Sequence, residues 1–299
     1  MIYEKKIKSG PLLEANFYPA FSDGRRLPTR SKQRKRSTAE QERYNHAQAV
    51  RRAVHDINAN FDSGDILMHP TYEERFAPCS EEKAYRDISN YLRRIKALRE
   101  RTLARVEREL AELPDVPTLG SMRTRLKAQR AKLRQPFKYY YALETVVYKT
   151  GRKAGLVNYH FHLFITGGLE PSEYERAWPT GLRCNANRFQ PEKFGPEAAA
   201  RYITKEAAGK RRIRHSRNLI KPTIKSSPAG ISPATVERIA KQRIDDAAYW
   251  ERKYRGYKFV RCYPRYNSYN GYWYVSVIMY KSTADPPPWN DGTPWPEFE

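Results

Sequence analysis

Cysteine is scarce: the 299 residues contain Cys79, Cys184 and Cys262 and no others. An odd number, so widely spaced, fits neither a disulfide framework nor a cysteine zinc site, and it suits a reducing cytosol. Long apolar runs are missing too. Nothing approaches the roughly 20 residues that span a bilayer, so no membrane protein is expected. The opening Met1-Ile2-Tyr3-Glu4-Lys5-Lys6 has no apolar stretch of the secretory-signal kind, and the expected location is cytoplasmic. No G-x-x-x-x-G-K-[ST] run occurs, which excludes Walker-type nucleotide binding. Acidic residues are the last deficit: 33 Asp+Glu against 56 Lys+Arg leave a formal charge of +23.

What is present is basic and aromatic. With 22 Tyr, 11 Phe and 5 Trp beside that charge, the composition reads as a polyanion binder that stacks bases as well as gripping phosphates. Hydrophobic residues at 39% are enough for a packed core, so a disordered chain is not expected. Composition alone does not separate an enzyme from a packaging protein.

Along the chain, residues 2–18 with Gly10-Pro11 predict a β-hairpin. Residues 19–37 form a basic arm whose densest part includes Arg34, Lys35 and Arg36, suited to DNA backbone contact. Ser37-Thr38-Ala39-Glu40 reads as a capping box for a helix to about Ala59. Asp65 to Tyr72 reads as a strand. Ser80 caps a helix that runs to Pro114, and a second helix over about 120–133 completes an Arg-rich helical hairpin. Phe137 to Tyr148 and Leu156 to Ile165 are strands joined by a glycine-containing turn. A short strand over 183–189, a helix over 196–208, a last helix from Ser232 to about Tyr254 and an aromatic hairpin over 257–281 follow. A proline-rich tail ends the chain.

The sharpest chemical feature is Tyr159-His160-Phe161-His162-Leu163. Side chains alternate along a strand, so His160 and His162 share a face, roughly 6.5–7 Å apart along the backbone. Glu144, on the preceding strand, falls opposite His160 or His162 if the turn centres near residue 152 or 153. Two imidazoles and a carboxylate leave positions open for phosphate oxygens and water, as Mg²⁺ or Mn²⁺ chemistry requires. Asp65 and His69 are alternative third ligands. About 40 residues on, Tyr202 and Lys205 stand i, i+3 on the 196–208 helix and share a face.

This ordered set resembles the HUH endonucleases, and among them the rolling-circle replication initiators of phages and plasmids. The His strand and the Tyr202-x-x-Lys205 helix match the family's motifs, while His69 and Pro70 interrupt the usual form of its first strand. The resemblance covers about 60–225. It implies that Tyr202 attacks single-stranded DNA at an origin and keeps a 5′-phosphotyrosine, freeing a 3′-OH for a host polymerase. It also implies that His160, His162 and Glu144 hold Mg²⁺ or Mn²⁺, and that Lys205 positions the phosphate or the tyrosine. The basic segment Lys210, Arg211, Arg212, Arg214, Arg217 and Lys221 is similar to the one after the tyrosine in phage-type members and implies backbone contacts. Without a helicase motif, strand separation falls to a host helicase. Rival readings are a single-tyrosine HUH transposase, a relaxase, or a non-catalytic basic nucleic-acid-binding protein.

The expected fold is α+β: one antiparallel sheet with the His strand central, flanking helices and a helical-hairpin insertion at 98–135. The expected organisation is an N-terminal hairpin, arm and helix (1–60), the endonuclease core (61–230), a C-terminal helix and hairpin packed on it (231–281), and a flexible tail (282–299).

Overall fold

The computed structural model describes residues 1–20, 39–147, 150, 155, 157–178, 184–190 and 213–281. In chain order these form β1 (Ile2–Ser9), β2 (Leu12–Pro19), α1 (Ala39–Asn60), β3 (Ile66–Pro70), α2 (Glu81–Glu112) and α3 (Gly120–Arg134). Then come β4 (Tyr139–Val147), β5 (Val157–Ile165), α4 (Pro171–Arg176), β6 (Cys184–Arg188), β7 (Ile213–His215) and β8 (Thr223–Pro228). The last are α5 (Pro233–Gln242), α6 (Ala247–Lys253), β9 (Tyr257–Asn267) and β10 (Tyr272–Lys281).

The class is α+β, as expected, but the strands make two sheets rather than one. Both are antiparallel and five-stranded, in the orders β8-β1-β2-β10-β9 and β6-β3-β5-β4-β7. The chain divides accordingly. One unit takes residues up to Asn60 and from Ile220 on; the other takes Phe61–Gln190 with the segment ending at Leu219. The C-terminal hairpin pairs with the N-terminal one, β10 against β2, through Val275↔Phe17 and Val277↔Ala15. The sequence reading did not contain that arrangement.

In the first unit the β1–β2 turn depends on Gly10. Its φ is +55°, and a Cβ there would sit 2.2 Å from the Asn58 carbonyl oxygen at the end of α1. The hairpin and α1 are joined by a buried polar chain. Arg51 grips both carboxylate oxygens of Glu14, and His55 Nε2 donates to Glu14 Oε2 at 2.7 Å. Ser9 Oγ lies 2.7 Å from His55 Nδ1. The series serine, histidine, carboxylate has the connectivity of a hydrolytic triad, but Ser9 is only 1% exposed, so the chain serves packing. On the opposite sheet face α5 and α6 bury Trp250, Val236 and Ile239 against Phe17, Val275 and Val277.

In the second unit β5 is the middle strand. Its odd-numbered residues Phe161, Leu163 and Ile165 are fully buried and share a core with Ala84, Ile88, Tyr91 and Ile95 of α2. Those helix positions recur at the 3–4-residue spacing that builds one apolar face. Ser80 caps α2 by accepting from Lys83 N at 3.3 Å. The helical hairpin is no separate appendage: Val106 of α2 and Leu126 and Leu133 of α3 belong to the same core. Arg99, 3% exposed, ties the end of α3 to β5's exit by donating to the carbonyls of Lys132, Leu133, Gln135 and Thr166.

One local reading changes. The single helix expected over 232–254 is two: α5 ends at Gln242, and Asp246 caps α6 by accepting from Tyr249 N at 2.9 Å. The short helix α4 and the strands β7 and β8 were not anticipated from sequence. The capping box at Ser37 and the 196–208 helix lie outside the described residues. Among the described residues, no helix is long and apolar enough to cross a membrane.

Candidate metal centre

The β4–β5 ladder sets the site. Its register pairs Glu144 with His160 and Ala142 with His162, centring the turn at the earlier of the two expected positions. Because Phe161 and Leu163 point into the core under α2, alternation sends His160 and His162 to the other face, where Glu144 also points. Glu144 Oε2 accepts from the Nε2 atoms of both rings, that of His160 and that of His162, the latter at 2.6 Å. One ligand atom from each residue lies within 4.8 Å of the others, and no other cluster of three such side chains occurs among the described residues. The side chains are partly shielded, at 17% exposure for Glu144, 21% for His160 and 6% for His162. The core under α2 anchors the His pair from one side, and His160 is the more exposed of the two rings.

The two alternative third ligands resolve differently. Asp65 is engaged elsewhere: its carboxylate accepts from the backbone of Gly167 at 2.8 Å and of Asp62 at 2.9 Å, and pairs with Lys132 at 2.9 Å. It fastens the entry of β3 to the exit of β5. Burial pushes its pKa up, against these hydrogen bonds. His69 does reach the site, but not as a member of the converging trio. The β3–β5 pairs Ile66↔Ile165, Leu67↔Phe164 and Met68↔Leu163 continue to a bridge at Thr71↔His160, which places His69 beside His162. Its Nδ1 lies 3.1 Å from His162 Nδ1, on the far side of that ring from Glu144.

Burial lowers the pKa of His162, and the nearby His160 adds to it, while the Glu144 hydrogen bond opposes. Burial likewise pulls His69 down to about 4, helped by His162 and His160. Rings kept neutral near pH 7 have nitrogen lone pairs to offer, which metal ligation demands. Two imidazoles and a carboxylate on one sheet face are thus a fitting donor set for a divalent ion.

Tyr202 and Lys205 lie outside the described residues, as do Arg34, Lys35, Arg36, Lys210, Arg211 and Arg212. The remaining basic positions, Arg214, Arg217 and Lys221, are all exposed. Arg214, on β7, stacks its guanidinium 3.4 Å from the Tyr85 ring centroid, so part of its role is to seat β7 against α2. Two other tyrosines of the second unit are structural. Tyr174 is fully buried and donates to the Thr166 carbonyl at 2.8 Å; Tyr72, 7% exposed, donates to Asp87. Burial raises the pKa of both.

The neighbourhood of His69 was the least legible part of the site. The sequence offered His69 as an interruption of the first strand and as an alternative third ligand, but the signal that places it beside His162 is the β3–β5 register, which needs the sheet order. No protein-family model matches this chain, and neither curated proteins nor solved structures give a match.

Proposed function

We propose that this protein nicks and rejoins single-stranded DNA at a replication origin, as a single-tyrosine HUH-type initiator working through a 5′-phosphotyrosine. The observation that supports this most is the convergence of Glu144, His160 and His162 on one face of the β4–β5 hairpin. On this reading Glu144 Oε2 and the Nε2 atoms of the two histidines hold Mg²⁺ or Mn²⁺. The ion supplies Lewis-acid polarisation of the scissile phosphate. Tyr202 Oη attacks phosphorus, the bond to O3′ breaks, and the freed 3′-OH primes a host polymerase while a host helicase separates the strands. Lys205, three residues after Tyr202, positions the phenol or the phosphate. The +23 charge draws the DNA in, with Lys210, Arg211, Arg212, Arg217 and Lys221 on its backbone.

The test is a covalent adduct. The full chain is incubated with Mn²⁺ and single-stranded oligonucleotides tiling the DNA around its own coding sequence. Wild-type protein yields a protein–DNA species whose nucleotide maps to the Tyr202 peptide. Tyr202→Phe, which keeps the ring and loses the nucleophile, yields none, with its melting temperature unchanged. His160→Ala and His162→Ala likewise give none. Adduct formation in EDTA, or on another tyrosine, contradicts the reading.

A further inference from the structure

The first unit has a sheet face that the nicking reading does not use. Leu13, Ala15, Phe17, Val275, Val277 and Met279 point into the core under α5 and α6. The residues between them point to the reverse face, and the ladders align these in rows across the strands. In one row Pro228 pairs with Tyr3 and Tyr3 with Tyr18. Val275 pairs with Phe17, so Tyr274 stands beside Tyr18, and Tyr274 pairs in turn with Arg265. The next row is Ser226, Lys5, Asn16, Ser276 and Tyr263, each paired with its neighbour. A third row contains Glu14, the residue through which Arg51 and His55 hold α1 to the sheet.

The first two rows are aromatic, basic and short-polar. Tyr3, Tyr18, Tyr263 and Tyr274 are all partly exposed, as are Lys5 and Arg265. Tyr3 and Tyr18 have ring centroids 6.3 Å apart. Arg265 lies 5.2 Å from the Tyr274 ring, and Arg261 lies 5.6 Å from that of Tyr263. Soluble sheets ordinarily present Lys, Glu and Thr on an outer face; four tyrosines flanked by cations is a different surface.

We propose that this face is a second nucleic-acid site, a stacking platform for single-stranded DNA. Strands about 4.8 Å apart bring tyrosines of adjacent strands within reach of successive unpaired bases. Lys5 and Arg265 flank the rings where the phosphates run. The rings recognise a feature that a duplex hides inside its stack, so the platform selects single strands. Naming the strand as DNA rests on the nicking reading above; the platform itself does not.

The experiment measures binding without cleavage. The full chain is titrated in EDTA into fluorescein-labelled dT15, a duplex containing the same strand, and the matching oligoribonucleotide, at several salt concentrations. Tyr18→Thr combined with Tyr274→Thr removes two ring faces and keeps strand-forming residues. Affinity for dT15 falls roughly tenfold or more. Duplex affinity stays put, and so does the slope of log K against log salt. Tyr18→Phe with Tyr274→Phe binds like wild type. Lys5→Gln flattens the slope by about 0.7. Ultraviolet cross-linking of unaltered protein to a bromodeoxyuridine strand labels peptides containing Tyr3, Tyr18, Tyr263 or Tyr274, and this readout needs no variant to fold. Unchanged dT15 affinity in the threonine variant, an equal loss on duplex, or cross-links that all fall elsewhere would overturn the platform. An oligoribonucleotide bound more than tenfold tighter than dT15 would overturn its assignment to DNA. Because no metal and no Tyr202 chemistry enter, failure here leaves the nicking reading standing, and the reverse holds as well.

Discussion

At the scale of single residues, His69 and Glu14 show how one hydrogen bond sets what a neighbour can do. A ring that ligates a metal through Nε2 must carry its proton on Nδ1, and that proton needs an acceptor. Beside His162 the nearest nitrogen is His69 Nδ1, at 3.1 Å, on a ring that burial keeps neutral. His69→Ala is therefore expected to weaken Mn²⁺ binding by about 10–100-fold, read by calorimetry, while His69→Asn, which keeps an acceptor, restores most of it. Unaltered Mn²⁺ affinity in the alanine variant would show that His69 only fills space. Glu14 has a different consequence. Burial alone would raise its pKa, but His55 and Arg51 outweigh it and hold the carboxyl at about 2, down from 4.5. A folded-state pKa below the unfolded one stabilises at higher pH. The contribution is full above about 4.5 and disappears as pH falls towards 2. Chemical denaturation across that window should show a slope that Glu14→Gln abolishes; a slope that survives the substitution would place the acid sensitivity elsewhere.

At the scale of elements, legibility followed apolar periodicity. The β1–β2, β4–β5 and β9–β10 hairpins and helices α1 to α3 stand within a few residues of where alternation, helical spacing and turn residues placed them. Glu144 opposite His160 was readable for the same reason, since a hairpin's register follows from where its turn lies. What failed to announce itself lacked apolar alternation or had its break hidden within an apolar spacing. All six residues of β8 are exposed, Ile224 among them, so this edge strand has no buried face to betray it. The α5–α6 break was hidden because Val236, Ile239 and Trp250 keep a roughly helical spacing across it, and the decisive signal was a single capping aspartate. Partnerships between distant segments were likewise invisible, above all β2 with β10. Arg99 belongs here, since it joins elements. Four carbonyls from α3 and β5's exit accept from one buried guanidinium. Arg99→Met keeps the apolar stem and removes the donor to the Leu133 and Gln135 carbonyls, while Lys132 and Thr166 keep Gln135 N and Tyr174 Oη, an expected loss of about 3 kcal/mol. Thermal unfolding would reveal it, and a variant as stable as wild type would mean water replaces the guanidinium.

At the scale of the whole molecule, the sequence concentrates its chemistry and its bulk charge in different ways. The candidate metal ligands sit within one hairpin, whereas positive charge is spread over both units, from Lys5 to Arg265. The first unit is also built from the two ends of the chain. Its middle strand β2 has β1 on one side and β10, some 260 positions later, on the other. On a ribosome, that gap becomes a delay. The second unit has every one of its described strands by residue 215, while Leu12 to Pro19 must wait for Tyr272 to Lys281 before one edge is covered. Until then the tunnel presents a second unit with its strands complete together with an unfinished hairpin. Arrested chains ending near residue 255 should therefore protect 61–190 from protease and leave residues 1–20 open to it, and only release of the last hairpin should close that window. Equal protection of both segments at that length would mean the first hairpin finds shelter before its partner is made.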